Sequence, residues 1–181
     1  MTLVELVVGM LLGLAGAAAL TALLRVGVAA WQRAGAHAEV ETEVAGAIDQ
    51  MTRDFRLTGY DPRAAGIGGL TITERARVEL TADLDGNGAI DADSEERIGY
   101  RWSAASGSLQ RVVGRQSLPI LTDVAPGGLR FDYFDGAGNA LDPTAATTAA
   151  RTKLITVDVA TVAHPPQASI RASGGARLGN R

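Results

Sequence analysis

The sequence predicts an α+β protein: a long N-terminal α-helix with a protruding hydrophobic half, packed through its C-terminal half on an antiparallel β-sheet head. Three observations predict it. Residues 1–24 form an apolar run whose only charge is Glu5, and the next charge is Arg25. From Arg25 to Leu57 there is no proline, and the apolar positions recur at helical spacing. After Pro62 the spacing changes to strict alternation broken by glycine-rich turns.

The first element is the apolar helix. Leu6–Leu24 spans ~28 Å at ~1.5 Å per residue, close to the thickness of a bilayer's hydrocarbon core. No basic residue precedes the apolar stretch, as a secretory signal would require, although Ala15-Gly16-Ala17-Ala18-Ala19 imitates a cleavage site. Gly9 and Gly13 form a small-xxx-small pair that permits close helix–helix packing. A carboxylate at membrane depth costs ~2.5–3.5 kcal/mol at the bilayer centre and less near the interface. Glu5 therefore implies a partner, and the amine of a neighbouring Met1 in a staggered bundle is within reach. A shallow interfacial Glu without a partner is the alternative.

The second element continues the same helix. Val40, Val44, Ala47, Ile48, Met51 and Phe55 mark one apolar face, with Glu39, Glu41, Glu43, Asp49, Arg53 and Arg56 opposite. Gly59 and Pro62 supply the stop. A helix over residues 1–57 is ~85 Å long, more than a domain of this size encloses, so its first half is expected to project. The expected divisions are a hydrophobic transmembrane segment over 1–30, an amphipathic continuation of the same helix over 31–60 and a β-rich head over 61–181. Trp31 fits an interface anchor.

In the head, the alternating sets are Val78/Leu80, Ile98/Tyr100/Trp102, Leu129/Phe131/Tyr133 and Ile155/Val157/Val159. Ser106-Gly107, Pro126-Gly127-Gly128, Asp135-Gly136 and Gly138-Asn139 read as turns between them. One-sided alternation suits an antiparallel sheet with one face covered, and the face of residues 40–55 is the cover. Asp142–Arg151 reads as a loop. The tail from Ala172 to Arg181 reads as an edge strand or a frayed end.

A second chemical signal lies between two expected strands. Asp83, Asp85 and Asn87 stand at relative positions 1, 3 and 5, with Gly88 at 6, Ala89 offering a carbonyl at 7, Ile90 at 8 and Asp91 at 9. This is the oxygen-ligand spacing of a calcium loop. Position 12 is Ser94, where a bidentate glutamate is expected; Glu95 follows one residue later, and Asp93 and Glu96 complete the acidic run. The flanks read as strands, so a helix–loop–helix calcium hand is excluded. A solvated acidic turn is the alternative.

Composition narrows the function classes. The 181 residues carry a net charge of −3 and no cysteine, which removes disulfides and thiolate chemistry. The basic residues form no stripe, so no nucleic-acid partner is expected. The two histidines, His37 and His164, share no ligand spacing, and neither a nucleophile elbow nor a phosphate-binding glycine loop is present. No enzyme activity is expected.

Met1-Thr-Leu-Val-Glu5-Leu leading into an apolar helix resembles the mature N-terminus of type IV pilins and type II secretion pseudopilins. Met51-Thr-Arg-Asp-Phe-Arg-Leu-Thr-Gly-Tyr60, Ile98-Gly-Tyr-Arg-Trp102, Leu109-Gln-Arg111 and Leu129-Arg-Phe-Asp-Tyr-Phe134 resemble PilW-type minor pilins and J-type pseudopilins. Met1 stands where the family most often has Phe, and Ala22 where major pilins often have Pro. The resemblance implies a leader cut before Met1 by a prepilin peptidase, N-methylation of Met1 assisted by Glu5, and single-pass residence in the inner membrane. It implies extraction by an inner-membrane assembly platform into a periplasmic or extracellular filament, with other pilin or pseudopilin subunits as partners. A minor subunit that primes or caps assembly is the expected role. A major pilin, or a membrane-anchored calcium-dependent binding module, is the alternative.

Overall fold

The computed structural model describes residues 3–163 and 169–178. Met1, His164, Pro165 and Pro166 lie outside the described residues. One helix, α1, runs unbroken over Leu3–Leu57. The chain divides into two compact units, Met1–Glu39 and Val40–Arg181, so α1 contributes to both.

In the first unit, α1 carries large apolar side chains on all sides, among them Leu3, Leu12, Leu14 and Leu23, and all four are exposed. Thr21 hydrogen-bonds back to the carbonyls of Ala17 and Ala18 and is thereby satisfied without a partner outside the helix.

The second unit begins at Val40. Val44, Ala47, Ile48, Met51 and Phe55 of α1 are buried in its core, the face that the spacing predicts. Met51 and Phe55 are fully enclosed, and burial of each contributes at most about 3 kcal/mol. The helix ends where Gly59 turns to a φ of 77°. There the Gly59 N–H donates to the carbonyl of Thr81 at 2.8 Å, tying the helix stop to the sheet. Gly69 passes so close that a Cβ on it would lie 2.5 Å from the Gly59 Cα.

Among the described residues, nine strands follow in two antiparallel sheets. β1 (Leu70–Glu74), β2 (Arg77–Thr81), β3 (Arg97–Ser103), β4 (Ser108–Val113) and β5 (Gln116–Leu121) pair in sequence order. β6 (Val124–Phe134), β7 (Ala140–Leu141), β8 (Leu154–Thr161) and β9 (Arg171–Arg177) form the second sheet in the order β7-β6-β8-β9. The expected single sheet is thus two. β5 is an edge carrying Pro119, which has no N–H to offer a further strand. At Asp123, with φ 55°, the chain turns out of that edge.

The alternating sets all face inward. Leu129, Phe131 and Tyr133 pair with Val159, Val157 and Ile155, and join Val78, Leu80, Ile98, Tyr100 and Leu109 around the helix face. Phe55 is the wedge between the sheets: its ring stands edge-on to Tyr100 of the first and Phe131 of the second, with centroids 6.2 Å apart in each case.

Two local expectations are corrected. Pro126-Gly127-Gly128 does not separate strands; it lies inside β6, where the register with β8 shifts between Val124 and Leu129. The extra residues bulge instead of turning because the strand resumes the same pairing on both sides. Asp142–Arg151 contains a single helical turn, α2 (Thr148–Arg151). Its start is held by the Thr148 hydroxyl donating to the Asp142 carbonyl, and its end by Thr152 donating to the Thr148 carbonyl at 2.7 Å. Of the two readings of the tail, the edge strand is realised as β9.

Candidate functional site

Glu5 sits in the first turn of α1, where the unpaired N–H groups and the helix dipole favour a negative charge. Its helix is long and apolar enough to cross a membrane and lies near the N-terminus.

The acidic loop joins β2 to β3. Asp83 and Glu96 mark its two ends and are both buried, whereas Asp85 is exposed. Two glycines with left-handed backbone, Gly86 (φ 72°) and Gly88 (φ 86°), curl the chain between them. The Asp83 carboxylate accepts from the N–H groups of Asn87 at 3.0 Å and Gly88 at 2.9 Å. Asp85 accepts from the Asn87 N–H and side-chain amide, both at 2.9 Å. Asn87 in turn accepts from the Ala89 N–H at 2.7 Å.

Glu96 reaches back across the loop. One carboxylate oxygen accepts from the N–H groups of Leu84 at 2.8 Å and Asp85 at 3.1 Å, and the other from the Asp91 N–H at 2.9 Å. The bond from Asp91 is the largest influence holding its carboxyl below the usual range, followed by that from Asp85. Burial and the neighbouring charge of Asp83 work in the opposite direction.

The candidate ligands separate in space. Asp83, Asp85 and Glu96 come together, each offering a carboxylate oxygen within 4.8 Å of the others. Asn87 and Ala89 lie on the turn beside them. Asp91 contributes its N–H to Glu96, and Asp93 is exposed. Glu95 points to Arg111, 3.6 Å from its guanidinium. Glu96, not Glu95, therefore closes the loop as a bidentate acceptor. The oxygen donor set fits a hard cation such as calcium. It is also already satisfied by backbone N–H groups, which offset part of the repulsion between the carboxylates.

Sequence reasoning missed the group that anchors this loop. Asp54 on α1 accepts from the Tyr100 hydroxyl of β3 and from Arg111 Nε of β4 at 2.9 Å. Tyr100 and Arg111 are direct cross-strand partners, so both project from the inner face. Burial opposes the charge of Arg111, but its hydrogen bond with and attraction to Asp54 outweigh this and raise its pKa. Arg111 also faces Glu95, linking the helix end to the loop. The available signal was phase: in β4, Arg111 occupies the same alternating set as Leu109 and Val113, where an apolar residue is the rule. Beyond it, Gly114 (φ 56°) passes under the loop so closely that a Cβ would lie 2.9 Å from the Asp93 Cα.

No protein-family model matches this chain, and no curated protein matches it.

Proposed function

We propose that this chain is a structural subunit of a type IV pilus-like filament or type II secretion pseudopilus, a minor pilin or pseudopilin that primes or caps assembly. The observation that carries the reading is α1 itself. One unbroken helix begins with an exposed apolar stretch holding a single acid in its first turn and ends as a core helix of a β-rich unit. An exposed apolar surface of that extent needs lipid or other helices around it. A filament provides both in succession: the membrane before assembly and neighbouring subunits after it.

In this reading Glu5 pairs with the terminal ammonium of the next subunit and sets axial register, while the apolar helices bury one another. Replacing Glu5 by Leu leaves membrane insertion intact and abolishes incorporation into filaments, read by shearing filaments from cells and probing for the chain. Normal incorporation of Glu5→Leu would reduce α1 to a plain anchor. A prepilin peptidase and an assembly platform are the partners the reading requires.

The loop supports a second element of the reading: calcium held by Asp83, Asp85 and Glu96. The gathering of these three carboxylates, two of them buried, favours it. Calcium would rigidify the β2–β3 connection, and extracellular millimolar calcium would make a weak site sufficient. Calorimetric titration of the detergent-solubilised chain with calcium tests this; absence of heat and of any melting shift at millimolar calcium would exclude it.

A further inference from the structure

A cavity of about 190 Å3 opens on the outer face of the first sheet, away from the helix and the core. Its rim carries three arginines, Arg77 of β2 and Arg97 and Arg101 of β3, and Glu79 is the only carboxylate among its lining residues. Gly99 forms the floor beside Val112: it faces outward between Glu79 and Val112 in the strand register. A side chain there would enter the cavity with ordinary contacts only, its Cβ 3.5 Å from the Val112 Cβ and 3.9 Å from the Val78 carbonyl oxygen.

The charges on this face do not balance. Arg97 donates to Glu79 at 2.7 Å, which uses the one carboxylate. Among the described residues Arg101 is steered by neutral groups only, donating to Gln110 at 3.2 Å and to Ser117 at 3.4 Å. Among the described residues no hydrogen bond or ion pair holds the Arg77 side chain, although Glu74 of β1 stands opposite it in the strand register. Arg77 and Arg101 are nevertheless direct cross-strand partners, a placement in which like charges destabilise a sheet. Arginines therefore outnumber carboxylates around a cavity whose floor is a glycine in the middle of a strand, itself an unfavourable strand residue.

We propose that this pocket binds a compact oxyanion with two negative charges, of the size of a phosphate group, between the guanidinium groups of Arg77, Arg97 and Arg101. Arginine forks match phosphoryl and carboxylate oxygens in geometry as well as charge. The bound dianion neutralises the facing pair, while Glu79 holds Arg97 in place and sets the remaining charge. The site borders the acidic loop, whose Ala92 lines the cavity, and contains no residue of α1.

The test is calorimetric titration of the full chain in neutral detergent with inorganic phosphate, at low ionic strength and about pH 8, where the dianion predominates. Saturable binding is expected, weakened about tenfold or more by Arg77→Gln or Arg101→Gln. Gly99→Val, which fills the cavity and leaves every charge in place, abolishes it. Arg171→Gln, an exposed arginine on β9 of the other sheet, leaves it unchanged. Melting curves followed by circular dichroism establish that each variant is folded; if Gly99→Val melts lower, the two pocket arginine variants decide. Three results would overturn the proposal: no saturable phosphate binding, equal weakening by Arg171→Gln, or binding of tetraglutamate in the absence of phosphate binding. The last would assign the face to carboxylates of a partner polypeptide.

Discussion

The hydroxyl of Tyr100, on the inner face of β3, donates to the carboxylate of Asp54, 46 residues earlier on α1. With Arg111 donating to the same carboxylate, this single acid fastens the helix to the sheet that carries the acidic loop. Removing it strands a mostly buried guanidinium. Asp54→Ala is expected to cost about 2–4 kcal/mol, and Tyr100→Phe about 1–2 kcal/mol, measured by denaturation of the head transition. Equal and small losses would mean that the network is solvated.

The same hydroxyl gives an alkaline signature. Burial, and then the hydrogen bond with and charge of Asp54, raise the Tyr100 pKa above the ordinary value of 10.0. A folded-state pKa raised above the unfolded one means that the folded protein keeps its proton longer. Its stabilisation is complete below pH 10 and is lost as pH rises beyond it. The melting temperature of the wild type should fall above that pH, and Tyr100→Phe should flatten the decline.

Tyr133 offers the contrasting case. Its hydroxyl is buried and has no hydrogen-bond partner among the described residues, and its pKa is also raised, chiefly by burial. Removing an orphaned buried donor recovers its desolvation cost. Tyr133→Phe should be neutral or stabilising by up to about 1 kcal/mol, and should reduce the alkaline decline further. A loss above that size would reveal a water-mediated partner.

Gly174 on β9 lies directly beneath α1. A Cβ there would fall 2.2 Å from Ile48 Cγ2, a branched atom that cannot swing away freely. Gly174→Ala is therefore expected to cost about 1–3 kcal/mol by overpacking. Adding Ile48→Ala, which removes the clashing methyl, should make the double variant more stable than the sum of the single losses. Additive losses would show that the helix does not rest on this strand.

At the acid end, Glu96 controls one component. Its carboxyl is held below the ordinary range by the N–H groups of Asp91, Asp85 and Leu84. A depressed folded-state pKa contributes stability that is present above the unfolded value of about 4.5 and is lost as pH falls through the folded value. Asp61, Asp135 and Asp142 are depressed as well, so the wild-type acid limb is shared. Glu96→Gln should melt lower than wild type at pH 7, with the gap closing towards pH 3.

Much of the head was legible because burial leaves a periodic trace. Val44, Met51 and Phe55 lie on one helical face, and Ile155, Val157 and Val159 on one strand face, and each set lies in the core. Legibility failed where a local signal had two physical outcomes. Pro126-Gly127-Gly128 has turn composition, yet cross-strand pairing with β8 on both sides made it a bulge. The loop spacing from Asp83 identified the turn, but it left the closing acid between Glu95 and Glu96.

By itself the sequence determined the elements and their buried faces: an unbroken helix to Leu57, a Gly59 stop, and strands whose alternation leaves one side apolar. These follow from local sterics and from the period of each structure, which neighbours along the chain already specify. Tertiary structure decided what depends on residues far apart in the chain. It split the strands into two sheets around Phe55, placed Arg111 between Asp54 and Glu95, chose Glu96 to close the acidic loop, and set Arg77 opposite Arg101. Pair energies of this kind exist only once register brings the side chains within a few ångströms, and no period along the sequence encodes them.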